Sequence, residues 1–473
     1  MMKKISEQLA LPTHLIIKTS PMRQSYRNRL ISLLKSDLDF HNREGNYASH
    51  NFHSFPAKFP PQLPRKFIDG LTQPEDVVLD PMMGSGTTVL EAFLSERQAM
   101  GFDIDPLALM ITRVKVTSLN LEKTGHYFHQ VVSQATDRLN NHRSTLEVEL
   151  SKRWDEKTKD FVDYWFAIET QIELAALLTE IEKIPEPNIR SFLKVALSSA
   201  IITKTGGVSL ALDLAHTRPH RAKVVLNQNK EEIFRDVGDK PIKHLDILTK
   251  TLRSPLVEFE KRYRNNLRGV SGVFPHSLSP LISWGDAQAL SVSDSSVDLI
   301  VTSPPYATNA IDYMRAHKFS LIWFGYPIDE LSKTRQDYIG GEATLGIDLV
   351  DLPTEVKAIV QKISHLDKKK SLALHRYYSE MTRAIKEMYR VIKPGKAAIV
   401  VVGNSIIRGV DTQTQDCLAA IGRQIGFEVP AIGTRNLDRN RRMLPAGMTL
   451  NLGSQIQQRM HVEYVIGFYK SDK

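Results

Sequence analysis

From Asp76 onward the chain repeats one alternation: a short apolar run, a glycine or proline turn, then a stretch with apolar residues at every third or fourth position. Val77-Val-Leu-Asp80 predicts a strand, Gly84 to Ser95 a helix, and Ala99-Met-Gly-Phe-Asp103 a second strand, which together make a βαβ opening. Between about 117 and 280 the period changes. Ile172-Glu-Leu-Ala-Ala-Leu-Leu-Thr-Glu-Ile-Glu-Lys-Ile184 has the spacing of a helix, so this stretch reads as a mainly helical insertion. Val297-Asp-Leu-Ile-Val-Thr302 returns to strand. A helix over about Leu374–Val391, a Lys393-Pro-Gly395 turn, a strand Ala397–Val402, a helix near Asp411–Ile425 and a last strand His461–Tyr469 complete the series. Such alternation predicts an α/β fold, a doubly wound and mostly parallel sheet. The boundaries that follow are a polar, basic arm over 1–50, carrying Arg23, Arg27 and Arg29, a discontinuous α/β domain over 51–116 and 281–473, and the insertion over 117–280.

Composition narrows the class without naming it. At 473 residues the chain is long for one compact core, which suits a domain carrying a large insertion. Its 62 Lys and Arg against 53 Asp and Glu give a net charge of +9, which fits a polyanionic partner and also a plain basic enzyme. The single cysteine, Cys417, excludes an internal disulfide framework and a cysteine zinc cluster. The histidines are scattered, so no metal site is expected. No apolar run reaches the roughly 18 residues of a membrane span. The start, Met-Met-Lys-Lys-Ile-Ser-Glu, lacks a secretory signal, and a soluble cytoplasmic protein is expected.

Two short segments carry chemistry. In Asp80-Pro81-Met82-Met-Gly84-Ser-Gly86-Thr87-Thr88 a strand ends on an acid and a glycine turn enters a helix, offering close backbone approach and free N–H groups to a ligand. The next strand ends in Asp103-Ile-Asp105, and a carboxylate there suits the two hydroxyls of a ribose. No lysine follows the second glycine, so the phosphate-loop signature is absent. NAD, ATP and S-adenosylmethionine all remain open at this point.

The second segment, Thr302-Ser303-Pro304-Pro305-Tyr306, follows an apolar strand, at the sheet edge where open α/β folds bind ligands. Successive prolines stiffen the backbone and remove two N–H donors, leaving carbonyls with few competing partners. An exocyclic base amine is a poor nucleophile, because its lone pair is delocalised into the ring. Hydrogen bonds accepted from it by Ser303 and the Pro304 carbonyl would return density to nitrogen and aim it at a sulfonium methyl. Tyr306 could stack on a base rotated out of a duplex.

In these two segments the chain resembles the S-adenosylmethionine-dependent amino-group DNA methyltransferases, whose N4-cytosine branch carries Ser-Pro-Pro-Tyr or Ser-Pro-Pro-Phe. The resemblance implies a Rossmann-like methyltransferase domain over 51–116 and 281–473, with S-adenosyl-L-methionine as cofactor and double-stranded DNA, its target base flipped, as substrate. It also implies a separately encoded restriction endonuclease as partner. By the same resemblance Asp80, Pro81, Met82, Gly84, Gly86 and Thr87 form the cofactor motif, with Asp103 and the neighbouring Asp105 at the ribose. His53-Ser-Phe55-Pro-Ala-Lys58-Phe-Pro-Pro61 is similar to the segment against the methionine half, and Asp286 to the acid that holds the adenine amine. Met82 stands where the family often has Phe. The helix of Asp312–Gly325 and the turns Lys393-Pro-Gly395 and Val402-Gly-Asn-Ser405 resemble later scaffold.

The insertion is the expected DNA-recognition element in this arrangement. Arg153-Trp154, Tyr164-Trp165-Phe166 and His216-Thr-Arg-Pro-His-Arg221 mix stacking and phosphate-binding side chains, although aromatics at helical spacing equally fit a core. Arg435, Arg439, Arg441 and Arg442 form a second basic cluster, suited to a solvated face or a phosphate clamp. Carbon-5 methylation needs a Pro-Cys nucleophile, and Cys417 follows Asp416, so that mechanism is excluded. The rivals are an N6-adenine DNA enzyme, an RNA amino-group methyltransferase, in which Asp or Asn would be expected at Ser303, and a non-catalytic nucleic-acid-binding protein.

Overall fold

A computed structural model of the chain describes residues 25–472 apart from 42–43, 56–57, 215–218, 238–244, 271–277, 308–311, 342–347 and 438–461. Strands β1 (Val77–Asp80), β2 (Gln98–Asp103), β6 (Leu281–Trp284), β7 (Val297–Thr302), β8 (Ile392–Gly403), β11 (Glu428–Asn436) and β12 (Val462–Tyr469) form one sheet. A small sheet in the insertion holds β3 (Val224–Leu226), β4 (Glu232–Arg235) and β5 (Thr249–Thr251), and a short ribbon pairs β9 (Ile406–Ile407) with β10 (Val410–Asp411). The main sheet runs β11-β12-β8-β7-β1-β2-β6. Only β12 opposes the rest, pairing antiparallel with both β8 and β11.

The order explains where a ligand can go. From β1 the chain moves one way to β2 and β6, then returns to β7 on the other side of β1. The crevice at the carboxyl ends of β1 and β7 is therefore the point where strand order reverses. Asp80 closes β1 there, and Ser303 follows β7.

Continuous apolar strands are buried on both faces, as a parallel sheet requires. Alternate residues divide: Leu299, Val301, Ala397, Ile399 and Val401 face one core, while Ile300, Ala398, Val400 and Val402 face the other. The first is covered by helices α1 (Tyr26–Lys35), α2 (Gln62–Leu71) and α3 (Thr87–Leu94). Helix α4 (Pro106–Lys115) follows β2 and packs beneath the insertion helices α5 (Leu121–Asn141), α6 (Arg143–Ser151), α7 (Glu156–Trp165), α8 (Ile168–Glu182), α9 (Pro187–Ile201) and α10 (Pro255–Val270). After β7 come α11 (Tyr313–Leu321) and α12 (Ile328–Gln336). Helices α13 (Thr354–Ser364), α14 (Lys368–Val391) and α15 (Thr414–Ile425) cover the second face.

Three expectations change. The arm of 1–50 contains α1, whose Leu30 and Leu34 are buried in the core with Val465 and Tyr469, and whose Arg27 pairs with Glu428 at 2.8 Å; Arg23 lies outside the described residues. Lys393-Pro-Gly395 is not a turn ahead of a strand but an irregularity inside β8: Val297 opposes Ile392 while Leu299 opposes Ala397. It delivers Lys393 to Asp298 at 2.7 Å and Lys396 to the same carboxylate at 3.3 Å. The boundary of the insertion, third, is no break in packing: beside a small cluster of its own around Leu210, Ala222, Val225 and Leu252, it is tied into the rest of the chain. Its helices share one apolar cluster with α4, Phe52, Phe55 and the α11 residues Phe319 and Leu321. Trp154 donates from Nε1 to the Ile322 carbonyl at 3.0 Å, and Arg153 to that of Trp323 at 3.0 Å.

Candidate active site

The cavity at the switch point is built from seven chain segments. It is lined by Phe55 and Lys58, by Asp80 to Ser85 with Thr87, by Asp103 to Asp105, by Gly285 to Ala287, and by Ser303 and Pro305. Tyr313 and the Asp337-Tyr338-Ile339 loop close it. Gly86, Pro304 and Tyr306 are not among its lining residues.

Backbone geometry explains the glycines. Gly84 and Gly86 have φ of +48° and +74°, the left-handed region that side chains disfavour. A Cβ on Gly86 would also sit 2.5 Å from the Thr112 side chain. With the loop folded this way the Gly84 N–H donates to Asp103 Oδ2 at 2.8 Å. Lys115, buried below, donates to the Ser85 carbonyl at 2.6 Å.

The acids divide into holders and a reader. Asp103 accepts from Gly84 N and, on Oδ1, from Asp105 N at 2.9 Å. Burial and then the charge of Asp105 push its carboxyl up to about 7, against the pull of those two N–H groups. Asp80 is also raised, by burial, to about 6, with the hydrogen bond from Met82 N at 3.2 Å among the groups opposing. Asp105 differs. Burial alone would raise it, yet the charge of His317 and hydrogen bonds from His317, Tyr338 and Leu107 N hold it below the usual carboxylate range. Its Oδ1 caps α4 through Leu107 N at 2.8 Å, and its Oδ2 takes His317 Nδ1 and the Tyr338 hydroxyl, the latter at 2.8 Å. Asp105 therefore braces the wall, while Asp103 accepts only backbone N–H groups and faces the cavity beside it. Asp286 accepts from Gln288 N at 2.9 Å across the cavity.

The aromatic side is Phe55, stacked on Tyr313 with ring centroids 5.1 Å apart. Lys58 donates to the His50 carbonyl at 3.0 Å. Ser303 faces the cavity, Pro304 is buried, and Tyr306 packs against the core. The Tyr306 hydroxyl donates to Glu463 Oε1 at 2.8 Å, which tethers the ring. Arg435 is buried against Glu463 and belongs to no solvated basic face; Arg439, Arg441 and Arg442 lie outside the described residues.

Sequence reading missed Tyr313, Asp337, Tyr338 and Ile339. The loop carrying the last three is pinned by the buried Arg376–Glu380 pair, with Arg376 donating to the Gln336 carbonyl and Glu380 accepting from Gly340 N, both at 2.8 Å. The insertion aromatics divide as well. Phe166 is buried, Trp165 lies 5.1 Å from Phe319 by ring centroids, and Tyr164 is half exposed beneath the Arg221 guanidinium at 4.4 Å. His216 and Arg218 are outside the described residues. Among those described, no group of three or more His, Cys, Asp or Glu is placed to hold a metal, and no helix is long and apolar enough to cross a membrane.

Residues 24–113 match the family model described as DNA methylase, which covers N6 and N4 methyltransferases. The type II methyltransferase M.MvaI of Kocuria varians is 27% identical over 402 residues, spanning 80% of this chain and 81% of its own. M.BsoBI of Geobacillus stearothermophilus is 22% identical over 430 residues, 81% and 79% of the two chains. A candidate DNA modification methylase of Thermus thermophilus, solved with S-adenosyl-L-methionine, overlaps 40% of this chain and 54% of its own at 19% identity, with a TM-score of 0.20.

Proposed function

We propose that this chain is an amino-group DNA methyltransferase that transfers a methyl group from S-adenosyl-L-methionine to the N4 amino group of cytosine in double-stranded DNA. The observation that supports this most is the meeting of Ser303 and Pro305 with the Asp80–Gly84 turn and Asp103 in one cavity.

The donor set fits the cofactor. Asp103 would take the ribose hydroxyls and Asp286 the adenine amine, with Met82 beside the ring and Phe55 and Lys58 flanking the methionine half. Gly84, left without a side chain at positive φ, gives the ligand backbone to approach. When bound, the sulfonium supplies an electrophilic methyl. The protein then has to bring an amine in line with it and keep that amine's lone pair available. Ser303 and the Pro304 carbonyl accept hydrogen bonds from the two N–H groups, which leaves the lone pair to attack. No protein nucleophile is needed. Cys417 is buried, its thiol pushed up to about 11 chiefly by burial, in keeping with a reaction that does not use it.

Ser303 favours cytosine over adenine, since N6-adenine relatives carry Asp or Asn there. The target base enters by leaving the stack, and the insertion, braced on α11, reads the duplex as part of a restriction–modification or defence system.

Transfer of a labelled methyl into matched DNA and RNA tests the substrate class. Transfer to DNA is expected, reduced about 100-fold in Ser303→Ala with cofactor affinity retained. RNA-only activity would overturn the proposal, as would calorimetry showing no cofactor binding.

A further inference from the structure

Charge is unevenly spread along the insertion. Helices α5 to α9, over 121–201, carry ten Lys and Arg against thirteen Asp and Glu. Residues 203–253, which hold the small β4-β3-β5 sheet, carry ten against six and are net basic. A polyanion is drawn to the small sheet and not to the helices.

Within this region one cation is set in place. Arg221 is bridged antiparallel to Ala211, between hydrogen bonds from Leu212 N to the His220 carbonyl at 2.8 Å and from Ala222 N to that of Leu210 at 2.9 Å. Its guanidinium lies over two rings, 4.4 Å from the centroid of Tyr164 on α7 and 4.2 Å from that of Phe234 on β4. Rings hold a planar cation by its faces and leave its N–H edge to bond in the plane. Among the described residues that edge meets no acceptor: the guanidinium makes no hydrogen bond or ion pair, its Nε is buried without a partner, and Asp236 is taken by Lys223 at 2.9 Å. Because the rings already fix the fork, an incoming acceptor has little left to order.

The region is also tied to the helices that follow Ser303. Leu210 N donates to the Trp165 carbonyl at 2.7 Å, and Trp165 packs on Phe319 of α11. Helix α7 is joined to α12 by Ile328 N, which donates to Thr158 Oγ1 at 3.0 Å.

We propose that the small sheet region of 203–253, with Arg221 as its fixed contact, is the surface that docks duplex DNA, and that helices α5 to α9 are its scaffold. The acceptor is a phosphate or the edge of a guanine, the two groups of a duplex that match a planar fork. The inference rests on the methyl-transfer reading above and narrows the DNA-contacting part of the insertion to one region.

The test uses the full chain and a labelled duplex copied from a plasmid segment that the wild-type chain methylates. Anisotropy over a range of salt reads binding, and methyl transfer to plasmid reads function. Arg221→Gln should weaken duplex binding about tenfold or more and raise the DNA concentration for half-maximal transfer equally, with the saturated rate, cofactor affinity and melting temperature unchanged. A phosphate contact lowers the slope of log affinity against log salt by about one, whereas a guanine contact keeps the slope and relaxes the methylated sequence at one position; either supports the proposal. Lys123→Gln, which removes the same charge from an exposed site on α5, should change none of these. Undiminished binding by Arg221→Gln, or an equal loss in Lys123→Gln, overturns the proposal and leaves methyl transfer standing.

Should Arg221→Gln fail to fold, hydrogen exchange in the wild-type chain decides instead. Duplex DNA should slow exchange over 221–235, and slowing confined to α5–α9 overturns the proposal. Wild-type protein that neither binds nor methylates DNA would remove the methyl-transfer reading, and this inference with it.

Discussion

Asp103 is the residue at which the site's electrostatics can be read from solution. Its carboxyl is raised to about 7 by burial and by Asp105, while ribose hydroxyls would donate to its ionised form. Cofactor affinity should therefore rise with pH up to about 7 and level off above it, falling roughly tenfold per unit below that point. Calorimetry between pH 6 and pH 8.5 checks this (~2.5 units around the raised carboxyl), and Asp103→Asn should flatten the profile. The sign for folding is opposite. A carboxyl raised in the folded state contributes stability that is present below its unfolded value near 4 and lost as pH rises through about 7, so the ligand-free chain should melt lower at pH 8 than at pH 6. Gly86→Ala should destabilise by about 2 kcal/mol or more, from the left-handed backbone and the Thr112 contact, seen as a lower melting temperature. Asp80, Gly84, Asp103 and Ser303 were legible because strand ends and turns carry their chemistry in local sequence. Asp337 to Ile339 were not. Nothing local marks that loop; a buried ion pair on another helix places it.

The elements record a similar division. The continuous apolar runs of β7 and β8 and the glycine turn into α3 are local pattern, so the parallel centre of the sheet was readable. β6 is apolar in sequence at Leu281, Ile282 and Trp284, yet Leu281 and Trp284 are well exposed, so its place at the sheet edge does not show in local pattern, and β11 alternates only weakly. The α1 helix was hidden in a polar arm because only Leu30 and Leu34 face the core. Helical periodicity announced the insertion but not its attachment, since a shared core shows no boundary in sequence. That attachment predicts one cooperative unfolding transition by calorimetry, where an independent insertion would give two. Trp323→Ala, which empties a fully buried site at the junction, should cost about 3–5 kcal/mol and lower that single transition as a whole.

At the scale of the molecule, reversal of strand order puts the Asp80–Gly84 turn and the Ser303–Pro305 loop on the same crevice, and the remaining chain holds them in register. The insertion and α11 share one apolar cluster beside that crevice, while β12, paired with β11, reaches the Ser303–Tyr306 loop through Glu463. On the proposed function, DNA gripped by the insertion would be referred to the same frame that carries Ser303. The central claim is methylation of cytosine at N4, and the most direct measurement is sequencing of plasmid DNA from cells expressing the chain, by a method that separates N4-methylcytosine from N6-methyladenine. The account predicts N4-methylcytosine at one recurring sequence, absent when Ser303→Ala is expressed instead. N6-methyladenine at that recurring sequence, lost in the same variant, would contradict it.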